Sequence, residues 1–123
     1  MIRLALPILF ALFAALPAVA HDPRPGPNGG LKVDAGARHH AELVANGTPQ
    51  VSVFIYDASD RPVAAQGYRA NAILAVSGTT HRFTLEPAGA NRLGGTAPVP
   101  VPSGVRGVVQ LIAPDGATAQ ARF

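Results

Sequence analysis

The sequence predicts an all-β protein: a small antiparallel β-sandwich, immunoglobulin-like, with about seven short strands that follow an N-terminal signal helix. Short apolar runs alternate with turns rich in Gly, Pro, Asn and Asp, and the chain holds 13 Gly and 12 Pro. No window after residue 20 has the spacing of a long amphipathic helix. A small open barrel is the competing architecture, because strand spacing alone does not separate it from a sandwich.

Each predicted strand is a short apolar run that ends at a turn signal. The clearest run is 51–56, where both faces are largely apolar and a central position in the sheet is expected. Run 92–97 is expected as an edge strand, and 98–102 as an edge or a polyproline connector, since proline cannot donate to a ladder. The other predicted strands are 31–33, 38–45, 63–66, 70–76, 81–85, 105–112 and 117–123.

Residues 1–20 have the pattern of a cleavable signal peptide. Arg3 supplies the positive charge, 4–16 is an apolar run interrupted only by Pro7, and Ala18-Val19-Ala20 is a small-residue cleavage site. The apolar run is shorter than the roughly 20 residues that a membrane-spanning helix needs. We therefore expect cleavage after Ala20 and no membrane span in the mature chain. The excess of Arg, Ala, Gly and Pro is typical of a GC-rich bacterial genome, which favours the periplasm.

The mature chain is expected to form one domain, residues 31–123, preceded by an extended Pro/Gly-rich arm, residues 21–30. Three prolines and three glycines argue against a helix or a ladder strand in that arm. The chain has no cysteine, which excludes disulfides, thiolate metal sites and thiol catalysis. Its net charge is +3 and its basic residues are scattered, so a nucleic-acid surface is not expected.

Catalysis is not expected from the side chains that the sequence offers. No serine lies in a Gly-x-Ser-x-Gly context, and the chain has neither a phosphate loop nor a dinucleotide fingerprint. Asp57 and Asp60 bracket a hairpin, where aspartate side chains usually cap the backbone. The protein is therefore predicted to be non-enzymatic.

His21 is the first candidate metal ligand, because cleavage after Ala20 gives it a free α-amine. The amine and the imidazole Nδ1 of one residue can close a chelate ring on a metal ion. Proline at the third mature position, Pro23, blocks the alternative motif that uses deprotonated amides. The competing interpretation is an ordinary polar terminus.

The run His39-His40-x-Glu42 is the second candidate. Side chains alternate along a strand, so His39 is expected on the core face and His40 and Glu42 on the outer face, about 6.6 Å apart. An imidazole and a carboxylate at that spacing can bind one divalent cation. A plain surface pair is the alternative. His81 shares a face with Phe83 and Leu85 and is expected at the rim of the core rather than on a metal.

Three stretches resemble a module of bacterial heavy-metal resistance proteins: Gly26-Pro27-Asn28-Gly29-Gly30, His40-Ala41-Glu42-Leu43-Val44, and Val53–Asp57 with Arg61-Pro62-Val63. The chain is similar to small periplasmic proteins that resemble the N-terminal domain of heavy-metal efflux (RND-type) periplasmic adaptor subunits. The resemblance implies an extracytoplasmic β-sandwich associated with metal handling, with His40 and Glu42 as the matching site residues. The coiled hairpin, lipoyl-like domain and membrane-proximal domain of the adaptors are missing, so pump assembly is not implied.

Together these features predict a periplasmic metal-binding accessory protein for copper, zinc or a similar divalent cation such as nickel, with an envelope efflux component as a candidate partner. The expected ligands are His40 and Glu42, completed by His39 and His21. The alternative is a structural β-sandwich module that docks onto another envelope protein without any metal. A third and weaker interpretation is a copper oxidase built on a terminal histidine.

Overall fold

The computed structural model describes residues 21–123, and the predicted signal peptide, residues 1–20, lies outside that part. The described chain forms nine strands. They are β1 (Arg24–Pro25), β2 (Leu31–Ala35), β3 (His39–Val44), β4 (Gln50–Asp57), β5 (Arg69–Val76), β6 (Thr79–Pro87), β7 (Arg92–Thr96), β8 (Arg106–Ile112) and β9 (Thr118–Arg122). Within residues 21–123, no helix is long and apolar enough to cross a membrane.

All strands belong to one antiparallel sheet in the order β1-β2-β3-β4-β7-β6-β5-β8-β9. A further contact between β2 and β9, through Ala35 and Ala121, closes eight of the strands into a barrel, and β1 is added at the edge of β2. The predicted antiparallel all-β class is confirmed. The predicted two-layer sandwich is replaced by a closed barrel, because closure depends on one long-range pairing that strand spacing does not reveal.

The barrel has a seam along the free edge of β2. One edge of β2 pairs with β3 over its whole length, so β1 and β9 share the opposite edge. There β1 pairs with Leu31 and Lys32, while β9 meets β2 at Ala35. The N-terminal arm therefore lies in the seam and is part of the sheet. The expectation that the arm contains no ladder strand is wrong, since Pro25 is tolerated at an edge where it need not donate.

Alternate residues of each strand fill the interior of the barrel, as the period of two requires. On β3 the core residues are Ala41 and Leu43, while His40 and Glu42 lie on the other face. Alanines and branched aliphatic residues dominate, which suits a narrow barrel. The largest fully buried apolar side chains are Ile55, Leu74, Leu85, Leu93, Leu111, Val51, Val53, Val101 and Val109.

Two predicted elements differ in the structure. Strand β7 is not an edge, because it pairs with both β4 and β6. Its glycines permit this pairing, because any larger residue at Gly95 would place its Cβ only 2.3 Å from the carbonyl oxygen of Thr84, too close for two non-bonded atoms. Residues 63–66 form no strand, and only the isolated bridge between Tyr56 and Pro62 lies nearby. Segment 98–102 lies outside the strands, which agrees with the connector, one of its two predicted roles.

Candidate metal centre

Three segments of the chain bring His21, Asp34 and His40 together. His21 begins the described arm, Asp34 lies on β2 and His40 on β3, where the two strand residues are direct cross-strand partners. One ligand atom from each of the three side chains lies within 4.8 Å of the others. The β2–β3 hairpin and the arm in the seam thus form a candidate metal centre, here called the His21–Asp34–His40 cluster.

The carboxylate of Asp34 lies between the two imidazoles. Its Oδ1 is 3.2 Å from Nδ1 of His21 and 3.2 Å from Nε2 of His40. The centroids of the His21 and His40 rings are 5.7 Å apart, and the ring planes are nearly perpendicular, with an angle of 87° between them. His40 is buried while His21 is exposed, so the cluster opens to solvent on the side of the arm. It borders a cleft of about 580 Å³ that Gln120 and Arg122 of β9 also line.

Asp34 is held as a carboxylate by its neighbours. Burial raises the pKa of this group, but hydrogen bonds from the backbone and ring of His21, together with the charges of His21 and His40, lower it below its usual value overall. An ionised carboxylate beside two imidazole nitrogens is a suitable set of donors for a divalent cation.

Asp60 orients the ring of His40 from the other side. Its Oδ1 is 2.6 Å from Nδ1 of His40. A carboxylate only accepts, so Nδ1–H donates to Asp60, while Nε2 faces the second carboxylate, that of Asp34. The hydrogen bond from His40 holds the pKa of Asp60 well below its usual range, helped by Lys32 and Arg24. At metal sites, the histidine ring nitrogen that does not bind the metal commonly donates a hydrogen bond to a carboxylate.

Two cations hold Asp60 in place. Arg24 Nη2 donates to both carboxylate oxygens, at 3.0 and 3.1 Å, and Lys32 Nζ lies 3.1 Å from Oδ1. Lys32 is buried and its Nζ also lies 4.9 Å from the centre of the Tyr56 ring. Asp60 itself has a left-handed backbone with φ of 62°, which its contacts must stabilise.

Glu42 lies two residues from His40 on the same face, but the structure does not bring it into the cluster. It is fully buried, so the expectation that His40 and Glu42 face solvent is wrong. The arm packs directly on Glu42. Gly26 lies so close that a Cβ added to it would be only 2.2 Å from the Glu42 Cδ. The alternation of faces was predicted correctly, whereas the cover supplied by the arm was not.

The Glu42 carboxylate accepts four hydrogen bonds. They come from the backbone N of Asn28 (2.8 Å), Asn28 Nδ2 (2.9 Å), the backbone N of Gly30 (2.9 Å) and the Tyr56 hydroxyl (2.9 Å). Burial raises the pKa of Glu42, and these hydrogen bonds lower it below its usual value overall. Burial, with Glu42 beside it, raises the pKa of Tyr56 to about 12. These donors occupy both carboxylate oxygens, so Glu42 anchors the arm.

The remaining histidines lie elsewhere. His39 is buried, with Nε2 3.0 Å from the Tyr68 hydroxyl, and burial lowers its pKa. His81 lies on β6 as the cross-strand partner of Leu74 and is half-buried, in keeping with its expected place at the rim. Of the four predicted ligands, the structure therefore brings together His21 and His40 and leaves His39 and Glu42 outside the cluster.

Two aspartates of this site were missed in the sequence. The predicted strand 31–33 stops before Asp34, whereas β2 continues to Ala35 and the turn begins at Gly36. In a hairpin whose turn covers 36–38, Asp34 pairs with His40. This pairing is the feature from which Asp34 could have been identified as a neighbour of His40. Asp60 was interpreted as a turn cap, a role that Asp57 fills by accepting from the backbone N of Ser59 and of Arg61.

Comparisons of the chain with protein-family models, with curated proteins and with solved structures find no match. The resemblance to the efflux adaptor domains therefore stays a prediction.

Proposed function

We propose that the protein is an exported, periplasmic, non-catalytic accessory protein that binds a divalent metal ion through His21, Asp34 and His40. The observation that carries this proposal is the convergence of two imidazoles and one carboxylate, from three separate segments, within 4.8 Å. Its role would be the handling of copper, zinc or a similar cation, with an envelope efflux component as the candidate partner.

The donor chemistry supports a borderline divalent cation. Imidazole and carboxylate donors suit Cu(II), Ni(II) and Zn(II), whereas Cu(I) favours thiolates and thioethers. The chain contains no cysteine and a single methionine, Met1, which the predicted cleavage removes. The partial exposure of His21 and Asp34 supplies an entry route for the ion.

The second supporting feature is the pre-orientation of His40. Its ring is held by Asp60, and Asp60 is held by Arg24 and Lys32. A buried imidazole with one nitrogen occupied and the other directed at a carboxylate needs little rearrangement to bind a metal ion.

Calorimetric titration of residues 21–123 with Cu(II), Zn(II) and Ni(II) tests the proposal. We expect one equivalent of at least one of these ions to bind with a Kd well below about 0.1 mM, the range of nonspecific histidine affinity. H40A should remove this binding, while H81A, which alters a half-buried histidine on β6, should retain it. Binding no tighter than about 0.1 mM, or equal loss in both variants, would overturn the proposal.

A further inference from the structure

His21 presents two of its nitrogens to the same carboxylate. Its backbone N donates to Asp34 Oδ2 at 2.9 Å, and its ring Nδ1 lies 3.2 Å from Asp34 Oδ1. The backbone nitrogen, Nδ1 and the Nε2 of His40 therefore all lie within 3.2 Å of an oxygen of the one Asp34 carboxylate. This places a further nitrogen beside the three side-chain donors of the His21–Asp34–His40 cluster.

The arm holds His21 in this position. Strand β1 pairs with β2, and the backbone N of Gly26 donates to the carbonyl oxygen of Gly30 at 2.9 Å to close the turn that follows. Glu42 binds this turn through Asn28 and Gly30. Only Asp22 and Pro23 separate His21 from β1, and proline restricts the backbone of that link. The geometry at His21 therefore follows from contacts made further along the arm.

We propose that the α-amino group of His21 is the fourth ligand of the metal site, so that cleavage after Ala20 completes a site selective for Cu(II). This inference rests on the proposed function. In an uncleaved chain the same nitrogen is a peptide nitrogen, whose lone pair is delocalised into the carbonyl group. After cleavage it is an amine, and metal binding releases its ammonium proton to solvent and forms a nitrogen–metal bond.

The donor set determines the class of metal. The amine and Nδ1 of His21 close one chelate ring, and Nε2 of His40 and an oxygen of Asp34 supply the other two donors. Three nitrogens and one oxygen suit the tetragonal geometry that Cu(II) prefers. Zn(II) needs no such geometry and is often bound by three protein ligands, so the amine should contribute less to its affinity.

The test compares two forms of residues 21–123: one with the free α-amino group of His21 and one in which that amino group is acetylated, so that its nitrogen is an amide as in the uncleaved chain. Both keep the sheet, because all nine described strands and the core lie within residues 21–123. Affinities for Cu(II) and Zn(II) are measured by competition with a chromophoric chelator, and the nitrogens bound to Cu(II) are counted by electron paramagnetic resonance. Matching thermal melts of the metal-free chains provide the folding control.

Acetylation of the His21 amine should weaken Cu(II) binding by about 100-fold or more and Zn(II) binding by less than about 10-fold. The spectrum should change from three bound nitrogens to two. Equal Cu(II) affinity and equal spectra in the two chains would overturn the amine ligand, and if H40A still abolished binding the proposed function would stand. Cu(II) and Zn(II) binding absent from both chains would overturn the inference together with the proposed function.

Discussion

The outer face of β3 carries two polar clusters that are only two residues apart and differ in kind. Around Glu42, donors from the arm and from Tyr56 occupy both carboxylate oxygens, and the group is sealed from solvent. Around His40, the buried ring is oriented by Asp60 and directed at Asp34, which is shared with the exposed His21. The first cluster is complete without a ligand, whereas the second gathers donors at one solvent-accessible point.

This difference assigns a separate role to each cluster. A buried carboxylate with all its hydrogen bonds made stabilises and specifies a structure. Nitrogen and oxygen donors that converge at an opening are suited to a ligand. Glu42 is therefore expected to control the stability of the arm, and the His21–Asp34–His40 cluster to control metal affinity. Mutations that separate these two properties test the comparison.

E42A should produce the largest change. It leaves the amides of Asn28 and Gly30 and the hydroxyl of Tyr56 without their acceptor, at a cost of about 3 kcal/mol in the free energy of unfolding. Denaturation in urea measures the change. E86A provides the control, because Glu86 is an exposed carboxylate of β6 and should change stability by less than about 0.5 kcal/mol. Equal effects in E42A and E86A would contradict the structural role of Glu42.

D34N should have the next largest effect, and on affinity rather than on stability. The amide keeps the shape of the side chain but removes the charge, so we expect metal affinity to fall about 100-fold and the free energy of unfolding to change by less than about 1 kcal/mol. Calorimetry and urea denaturation measure the two quantities. D22N is the matched control, since Asp22 is exposed and adjoins His21. Unchanged affinity in D34N would remove Asp34 from the site.

D60N should have a smaller effect, because Asp60 acts through His40. Loss of the charged acceptor of Nδ1–H frees the ring to rotate, and a reduction of about 10-fold in metal affinity is expected. The chemical shifts of the His40 ring nitrogens should change as well. They would stay the same if Asp60 only stabilised the fold and did not orient the His40 ring. D115N, at an exposed aspartate, is the control. Normal affinity and unchanged His40 shifts in D60N would contradict the positioning role.

The smallest effect is the pH dependence of stability. Because the folded-state pKa of Glu42 lies below its usual value of about 4.3, the unfolded chain binds its proton more readily. The stabilisation is therefore present above that usual value and is lost as the pH falls through the folded-state pKa. We expect the difference in unfolding free energy between the wild type and E42Q to narrow on acidification. A difference that widened would contradict the direction of the shift.

Local features of this fold could be predicted from the sequence, and its closure could not. The break between the predicted strands 38–45 and 51–56, at Asn46-Gly47, and the alternation along β3 follow from residue type and period. The contact between Ala35 and Ala121 joins small residues far apart in the chain and carries no local signal. Run 92–97 was predicted as an edge strand, whereas the glycines of β7 allow the close pairing with β6 that is observed.

In the candidate site too, local features could be predicted from the sequence and long-range contacts could not. His21 and His40 could be identified by residue type, and the outer face of β3 by alternation. The choice between Glu42 and Asp34 depended on two long-range facts: the arm covers Glu42, and the β2–β3 register puts Asp34 opposite His40. Neither the path of the arm nor the exact end of β2 has a strong sequence signal.

The most direct test is a titration of residues 21–123 with Zn(II), followed by nuclear magnetic resonance of the histidine ring nitrogens. Zn(II) is diamagnetic, so each of the four histidines can be observed separately. One equivalent should shift the nitrogens of His21 and His40 and leave those of His39 and His81 in place. Shifts centred on His39 or His81, or no saturable shift at His21 and His40, would contradict a shared metal site in this cluster.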